Sequence, residues 1–166
     1  MSDYEVREAG PADRDTIRVI EEAAFGGMGE ATLVDALVAA RAVVLELVAE
    51  ADGAIVGHVM FSRLFVDVDG DRHPAVALAP AAVLPAFQGK GAGRAMIAEA
   101  HRRLAAAGET LSVVLGDPSY YGQFGYTHDR AAGFASPYQC EALQALAWGE
   151  APREGRLFYA TPFDAL

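Results

Sequence analysis

"FQGKGAGRAM", residues 87–96, sets Gly89, Gly91 and Gly93 at alternate positions directly before a stretch that reads as a helix. The first amides of a helix lack intrahelical partners, and the helix dipole makes that end partly positive. Glycines there let an anion come close to bare backbone, so the stretch reads as a phosphate cradle. Two familiar nucleotide loops do not fit. The P-loop needs Gly-Lys followed by Ser or Thr, whereas Lys90 precedes Gly91, and Gly-x-Gly-x-x-Gly finds Arg94 where its last glycine belongs. Neither ATP nor a dinucleotide is supported. Lys90 is the only lysine in the chain and stands among the candidate donors, although a cation at a loop tip is most often simply solvated.

Downstream, the apolar stripe of Met96, Ile97, Ala100 and Leu104 predicts a helix over 91–107. Glu99 is one turn from Arg103, Arg102 and Arg103 suit the C-terminal end, and Gly108 suits the position after it. "TLSVVLG" (110–116) then reads as a strand, "DPSYYGQFGY" (117–126) as a tight aromatic segment with one helical turn, and "RLFYATPF" (156–163) as a last strand. Upstream, residues 42–84 are apolar, β-branched segments broken by turns at Asp52-Gly53 and Asp69-Gly70, the pattern of a three-strand antiparallel meander. Pro80 inside its third strand predicts a bulge or a locally unpaired edge. "DYEVREA" (3–9) alternates like a strand. Ile17, Ile20, Ala24 and Phe25 recur at helical spacing, as do Leu33, Leu37 and Val38 after the break "GGMGE" (26–30). The order is α+β, with a strand–loop–helix–strand crossover in the middle.

With 166 residues, 52% of them hydrophobic, the chain fits one domain, 1–166, with one proper core. No apolar run is long enough to span a bilayer without a proline or a charge, so no membrane partner is expected. The single Cys140 forms no internal disulfide and is compatible with a reducing cytoplasm, the expected location; it reads as a buried small hydrophobe. A net charge of −10 argues against nucleic acid as a partner. His58, His73, His101 and His128 are scattered, with no ligand-spaced partners, so no metal site is expected and they read as surface or lightly packed residues. Ser112 has no nucleophile signature around it.

Gln88, Gly91 and Gly93, preceded by an apolar strand ending in Val83 and Pro85, form a Gln-x-x-Gly-x-Gly pattern, and Tyr121 with Gly125-Tyr126 forms Tyr-x-x-x-Gly-aromatic one helix and one strand later. The two motifs, in this order and spacing, resemble the GNAT superfamily of acetyl-CoA-dependent N-acetyltransferases. "LGDPSYYGQFGY" and "GRLFYATPF" are similar to a bacterial branch of small predicted acetyltransferases within it.

The resemblance implies a mixed, mostly antiparallel central sheet flanked by helices, with a splayed pair of parallel strands. It implies acetyl-CoA as cosubstrate, its pantetheine along Ala81, Ala82 and Val83 and its diphosphate at Gln88, Gly89, Lys90, Gly91, Ala92, Gly93 and Arg94. The reaction implied is transfer of the acetyl group to a primary amine of a small molecule or peptide, with Tyr121 as general acid. Without the family, Tyr121 would read as an aromatic wedge beside Tyr120 and Phe124. The alternatives are a non-catalytic acyl-CoA-binding module of the same fold, or an interaction domain whose glycines are only turns. Many members carry a carboxylate on the splayed strand, but "AVALAPAAVL" (75–84) has no titratable residue. Glu22, Glu30 and Asp117 are candidate bases, with a water chain or an already neutral amine as the alternative. Gly116-Asp117-Pro118 stands where the family often has Asn and Ala, which leaves the pose of Tyr121 open. The acceptor is expected between residues 21–33 and 133–148, near Phe25, Met28, Phe134, Tyr138 and Trp148; a core or homodimer-contact role for these side chains is also allowed.

Overall fold

The computed structural model describes residues 3–165. Its scaffold is one eight-stranded sheet. β1 (Glu5–Glu8), β2 (Val43–Ala51), β3 (Ala54–Val68) and β4 (Asp71–Val83) run antiparallel in chain order. The β2–β3 and β3–β4 connections turn on Asp52-Gly53 and Asp69-Gly70, all four with positive φ, the backbone that suits the right-handed twist of a hairpin. β5 (Leu111–Leu115) joins β4 in parallel and β7 (Leu143–Ala147) joins β5 antiparallel; β8 (Glu154–Phe158) pairs with the far end of β3 and with β6 (Gly133–Ala135).

Both faces of the sheet are covered, which is why its strands read as nearly continuous apolar runs. On one face Leu47, Val59, Phe61 and Leu78 pack with Met96, Ile97 and Leu104 of α3 (Ala92–Ala106). On the other, Val48 and Met60 pack with Ile17 of α1 (Arg14–Phe25) and Leu33, Val34 and Leu37 of α2 (Gly29–Ala39). α3 lies so close to β3 that a Cβ on Gly57 would stand 2.8 Å from the Met96 methyl. Glu99 pairs with both Arg102 and Arg103, at 2.6 Å to the Nε of Arg103, and Gly108 takes φ +90° after the helix, as its sequence predicts. Among the described residues no helix is long and apolar enough to cross a membrane.

Three expectations need correction. "RLFYATPF" is a strand only to Phe158; Thr161–Ala165 is a 3-10 turn, since Pro162 has no amide to continue a ladder and Phe163 is drawn into the core under α2. Cys140 is exposed, because it lies in the turn before β7 rather than on a buried face. His58 is wholly buried. It lies on β3 beneath α1, with Nδ1 2.7 Å from Glu21 and Nε2 2.7 Å from Glu46, while Arg14 donates to Glu46 at 2.5 Å.

A ring facing a carboxylate at each nitrogen is satisfied best as imidazolium. Burial works against that charge, but the bonds to Glu21 and Glu46 outweigh it and the His58 pKa is raised. Burial raises Glu21, with the His58 bond opposing; for Glu46 burial is outweighed by bonds to His58 and Arg14, and its pKa is lowered. The cluster ties α1 to the sheet, and removing its centre strands two buried acids. We predict that His58→Gln destabilises the fold by about 3–5 kcal/mol. The raised His58 pKa means its stabilisation is complete below the ordinary value of 6.5 and is lost as pH rises through the folded value. Urea unfolding from about pH 6 to about pH 9 should show the gap between wild type and variant narrowing on the alkaline side.

Candidate functional site

The site begins where β4 and β5 stop pairing. Val76, Ala77 and Leu78 pair with Ser112, Val113 and Val114, and there the parallel ladder ends. β4 continues along β3, Val59 opposite Ala81 and Gly57 opposite Val83, while β5 continues along β7 to Leu115 opposite Leu143. From Ala79 to Val83 one edge of β4 therefore lacks a strand partner. Pro80, with no amide hydrogen to offer, lies two residues past the last pair, and it forms with Ala79 a bulge on β4 in which two residues face the single Met60 of β3. Both the bulge and the unpaired edge predicted from Pro80 are present.

Beyond the splay a cleft of about 670 Å³ opens against the start of α3. Ala81, Ala82, Val83, Gln88, Gly89, Lys90, Gly91, Ala92, Gly93, Arg94 and Tyr121 all line it. Among the described residues no amide of residues 89–94 reaches a protein acceptor at ordinary hydrogen-bond geometry; the first helical donor is Ala95, to the Gly91 carbonyl at 3.0 Å. Gly89 and Gly91 adopt φ +75° and +93°, where a Cβ would be strained. Gly93 is needed for another reason, because a Cβ there would collide with the Tyr120 hydroxyl.

Side chains brace this loop. The Gln88 amide donates to the Val83 carbonyl at 2.9 Å, folding the loop back on β4, and the Tyr4 hydroxyl donates to the Lys90 carbonyl at 3.2 Å. Arg94 donates to Gln123 at 3.1 Å, tying α3 to the aromatic segment, and the Lys90 ammonium lies 5.9 Å from the Phe87 ring centroid.

Tyr121 ends the turn Pro118–Tyr121, whose first residue is capped by Asp117: Oδ1 accepts from the Ser119 amide at 2.9 Å and hydroxyl at 2.8 Å. Its ring meets Tyr120 edge-on at 5.0 Å and Tyr126 at 6.0 Å. A Cβ on Gly116 would stand 2.5 Å from Cε2 of that ring, so glycine is what the packed Tyr121 allows there. Burial pushes the Tyr121 phenol up to about 12. Tyr126 is spent elsewhere, its hydroxyl 2.7 Å from Ser112 and 3.0 Å from His101, whose own pKa burial lowers to about 4.

A second cavity, about 540 Å³, lies on the α1–α2 side of the splay. It shares two residues with the first, Ala81 and Tyr121. Phe25, Glu30, Asp117 and Tyr138 line it as well, whereas Glu22 and Met28 do not. Phe134 is in the core, and Trp148 packs on His101 at 5.2 Å. Tyr159 and Phe163 complete the wall, and nothing in their sequence neighbourhood distinguishes them from ordinary core residues. Tyr120 was legible only as a neighbour of Tyr121, yet it lines the first cleft.

A family model described as an acetyltransferase (GNAT) domain matches residues 5–128. The chain is 32% identical over 140 residues to the uncharacterized N-acetyltransferase YjhQ of Escherichia coli K12, covering 82% of this chain and 77% of that one. To the uncharacterized N-acetyltransferase YhbS of the same strain it is 34% identical over 146 residues, covering 83% and 86%. Among solved structures, a GNAT family acetyltransferase from Brucella melitensis in complex with acetyl-CoA superposes with a TM-score of 0.82 at 37% identity, over 97% of this chain and 98% of that one. E. coli YhbS in complex with CoA superposes with a TM-score of 0.86 at 30% identity, over 97% and 92%. The splayed parallel pair, the glycine-built helix mouth beside it and these matches together make the chain a member of the GNAT family of acetyltransferases.

Proposed function

We propose that this chain transfers the acetyl group of acetyl-CoA to a primary amine by direct attack. The observation that carries the reading is that Ala81 and Tyr121 line both cavities, so a thioester in the first and an amine in the second would meet beside a protonated phenol. The first cavity fits the cosubstrate by its own chemistry: unpartnered amides at a helix mouth for the diphosphate, and an edge of β4 that has no strand partner from Ala79 on for the pantetheine amides. Ala81 and Ala82 are small enough for a thioester to lie close, and a backbone N–H of that stretch polarises its carbonyl.

In the reaction the amine nitrogen forms its bond to the carbonyl carbon, the carbon–sulfur bond breaks, and the sulfur takes the Tyr121 proton. A phenol raised to about 12 stays protonated while a thiolate of ordinary pKa near 8.5 departs. The proton shed by the amine needs an acceptor. Of the three carboxylates considered, Glu22 lies off the cavity and Asp117 is committed to capping its turn, with Ser119 holding its carboxyl below the ordinary value. Glu30 takes this role, and solvent returns the proton to Tyr121.

Tyr121→Phe should lower kcat by about 100-fold or more while CoA still raises the melting temperature, as measured by thiol release and thermal shift. Equal turnover would refute the assignment. Gly91→Val, which puts a β-branched side chain at φ +93°, should weaken CoA binding at least about ten-fold. Pyrophosphate should compete with CoA for the wild-type protein, and calorimetric titration in its presence checks both points.

A further inference from the structure

The second cavity has a composition that selects among amines. Phe25, Leu33 and Leu115 form one part of its wall, and Tyr138, Tyr159 and Phe163 the other. Tyr159 stands between the other two rings with centroids 5.3 Å from each, and burial pushes its phenol up to about 12. The Tyr138 hydroxyl is turned to the Phe163 carbonyl, at 3.5 Å. Phe25 and Leu115 are 48% and 49% exposed although they line the cavity. Large apolar side chains left half in water at the mouth of a pocket mark surface that a ligand covers.

The charges are as selective as the rings. No Lys, Arg or His belongs to the lining; its carboxylates are Glu30 and Asp117. Asp117 accepts from the Ser119 amide and hydroxyl, whereas Glu30 has no hydrogen-bond or ion-pair partner among the described residues. The cavity thus holds one uncommitted negative charge among apolar walls.

We propose that it accepts a hydrophobic monoamine: one primary amine on an aromatic or branched hydrocarbon body, with no carboxylate and no second cation. Glu30 matches the single ammonium, the rings cover the body, and the nitrogen is delivered between Ala81 and Tyr121. The proposal rests on the acetyl-transfer reading above and names its acceptor class. An amino acid brings a carboxylate for which the wall has no cation, and a polyamine strands its further cations against hydrocarbon. A peptide N-terminus would bury backbone amides among side chains that offer them few partners.

The test is thiol release from acetyl-CoA with phenethylamine, L-phenylalanine and spermidine, run beside a thermal shift with CoA alone. L-phenylalanine differs from phenethylamine by its carboxylate, so it isolates that charge. The expected result is kcat/KM for phenethylamine about 100-fold or more above both others. Glu30→Gln should raise the KM for phenethylamine about ten-fold or more, with the CoA-induced rise in melting temperature retained. A preference for spermidine or L-phenylalanine, or no turnover of phenethylamine while CoA still raises the melting temperature, overturns the acceptor class and leaves acetyl-CoA binding standing. A melting temperature that CoA does not move overturns the acetyl-transfer reading itself.

Discussion

Three residue pairs hold β4 to β5, and beyond Leu78 and Val114 the strands part while each stays with the partner on its other side. β4 is held by eleven registered pairs along β3, and β5 by five along β7. The backbone groups left over on the inner edge of β4 line a cleft and have no strand to pair with there. An extended ligand with its own amides can supply one. The splay therefore creates a place for a strand-like arm, and both cavities open from it.

The glycines at the mouth of α3 and the aromatic turn after β5 are two halves of one packing solution. Gly93 leaves room for Tyr120, Gly116 leaves room for Tyr121, and the two rings stand edge-on between the helix and the end of β5. Arg94 and Gln123 close the same junction with a hydrogen bond. Tyr121 is thereby fixed at the wall common to both cavities, half-buried and protonated, by the packing of its neighbours.

On the opposite face, α1 is anchored by charge as well as by Ile17 and Ile20. Glu21, His58, Glu46 and Arg14 form an alternating chain of acids and bases under the helix whose last residue, Phe25, lines the second cavity. One Glu21 oxygen within this chain has no partner. Such clusters often contribute less to net stability than apolar packing would, and a slip of α1 along the sheet would separate these partners. That arrangement sets where Phe25 and the start of α2 stand relative to β4.

Much of this architecture is carried by local pattern. The Asp-Gly turns, the stripe from Met96 to Leu104, the glycines of residues 87–96 and the two spaced motifs each depend on a few neighbouring residues, so they are legible in a linear string and they suffice for the GNAT family, the sheet and the cleft. What they leave out depends on which distant residues meet. His58 is an unremarkable histidine until β3 slides it between Glu21 and Glu46, 37 and 12 residues away. Tyr159 and Phe163 look like the end of a strand until the chain leaves the sheet after Phe158 and sets both in the wall of the second cavity. Glu30 and Asp117 lie far apart in the chain until α2 and the turn after β5 bring both to the wall of the second cavity. Sequence by itself determined the elements and the glycine-built helix mouth, because backbone conformation follows from short-range sterics and periodicity. Tertiary structure alone decided which carboxylates and which rings face one cavity, because burial and juxtaposition belong to the contacts between segments and to no segment alone.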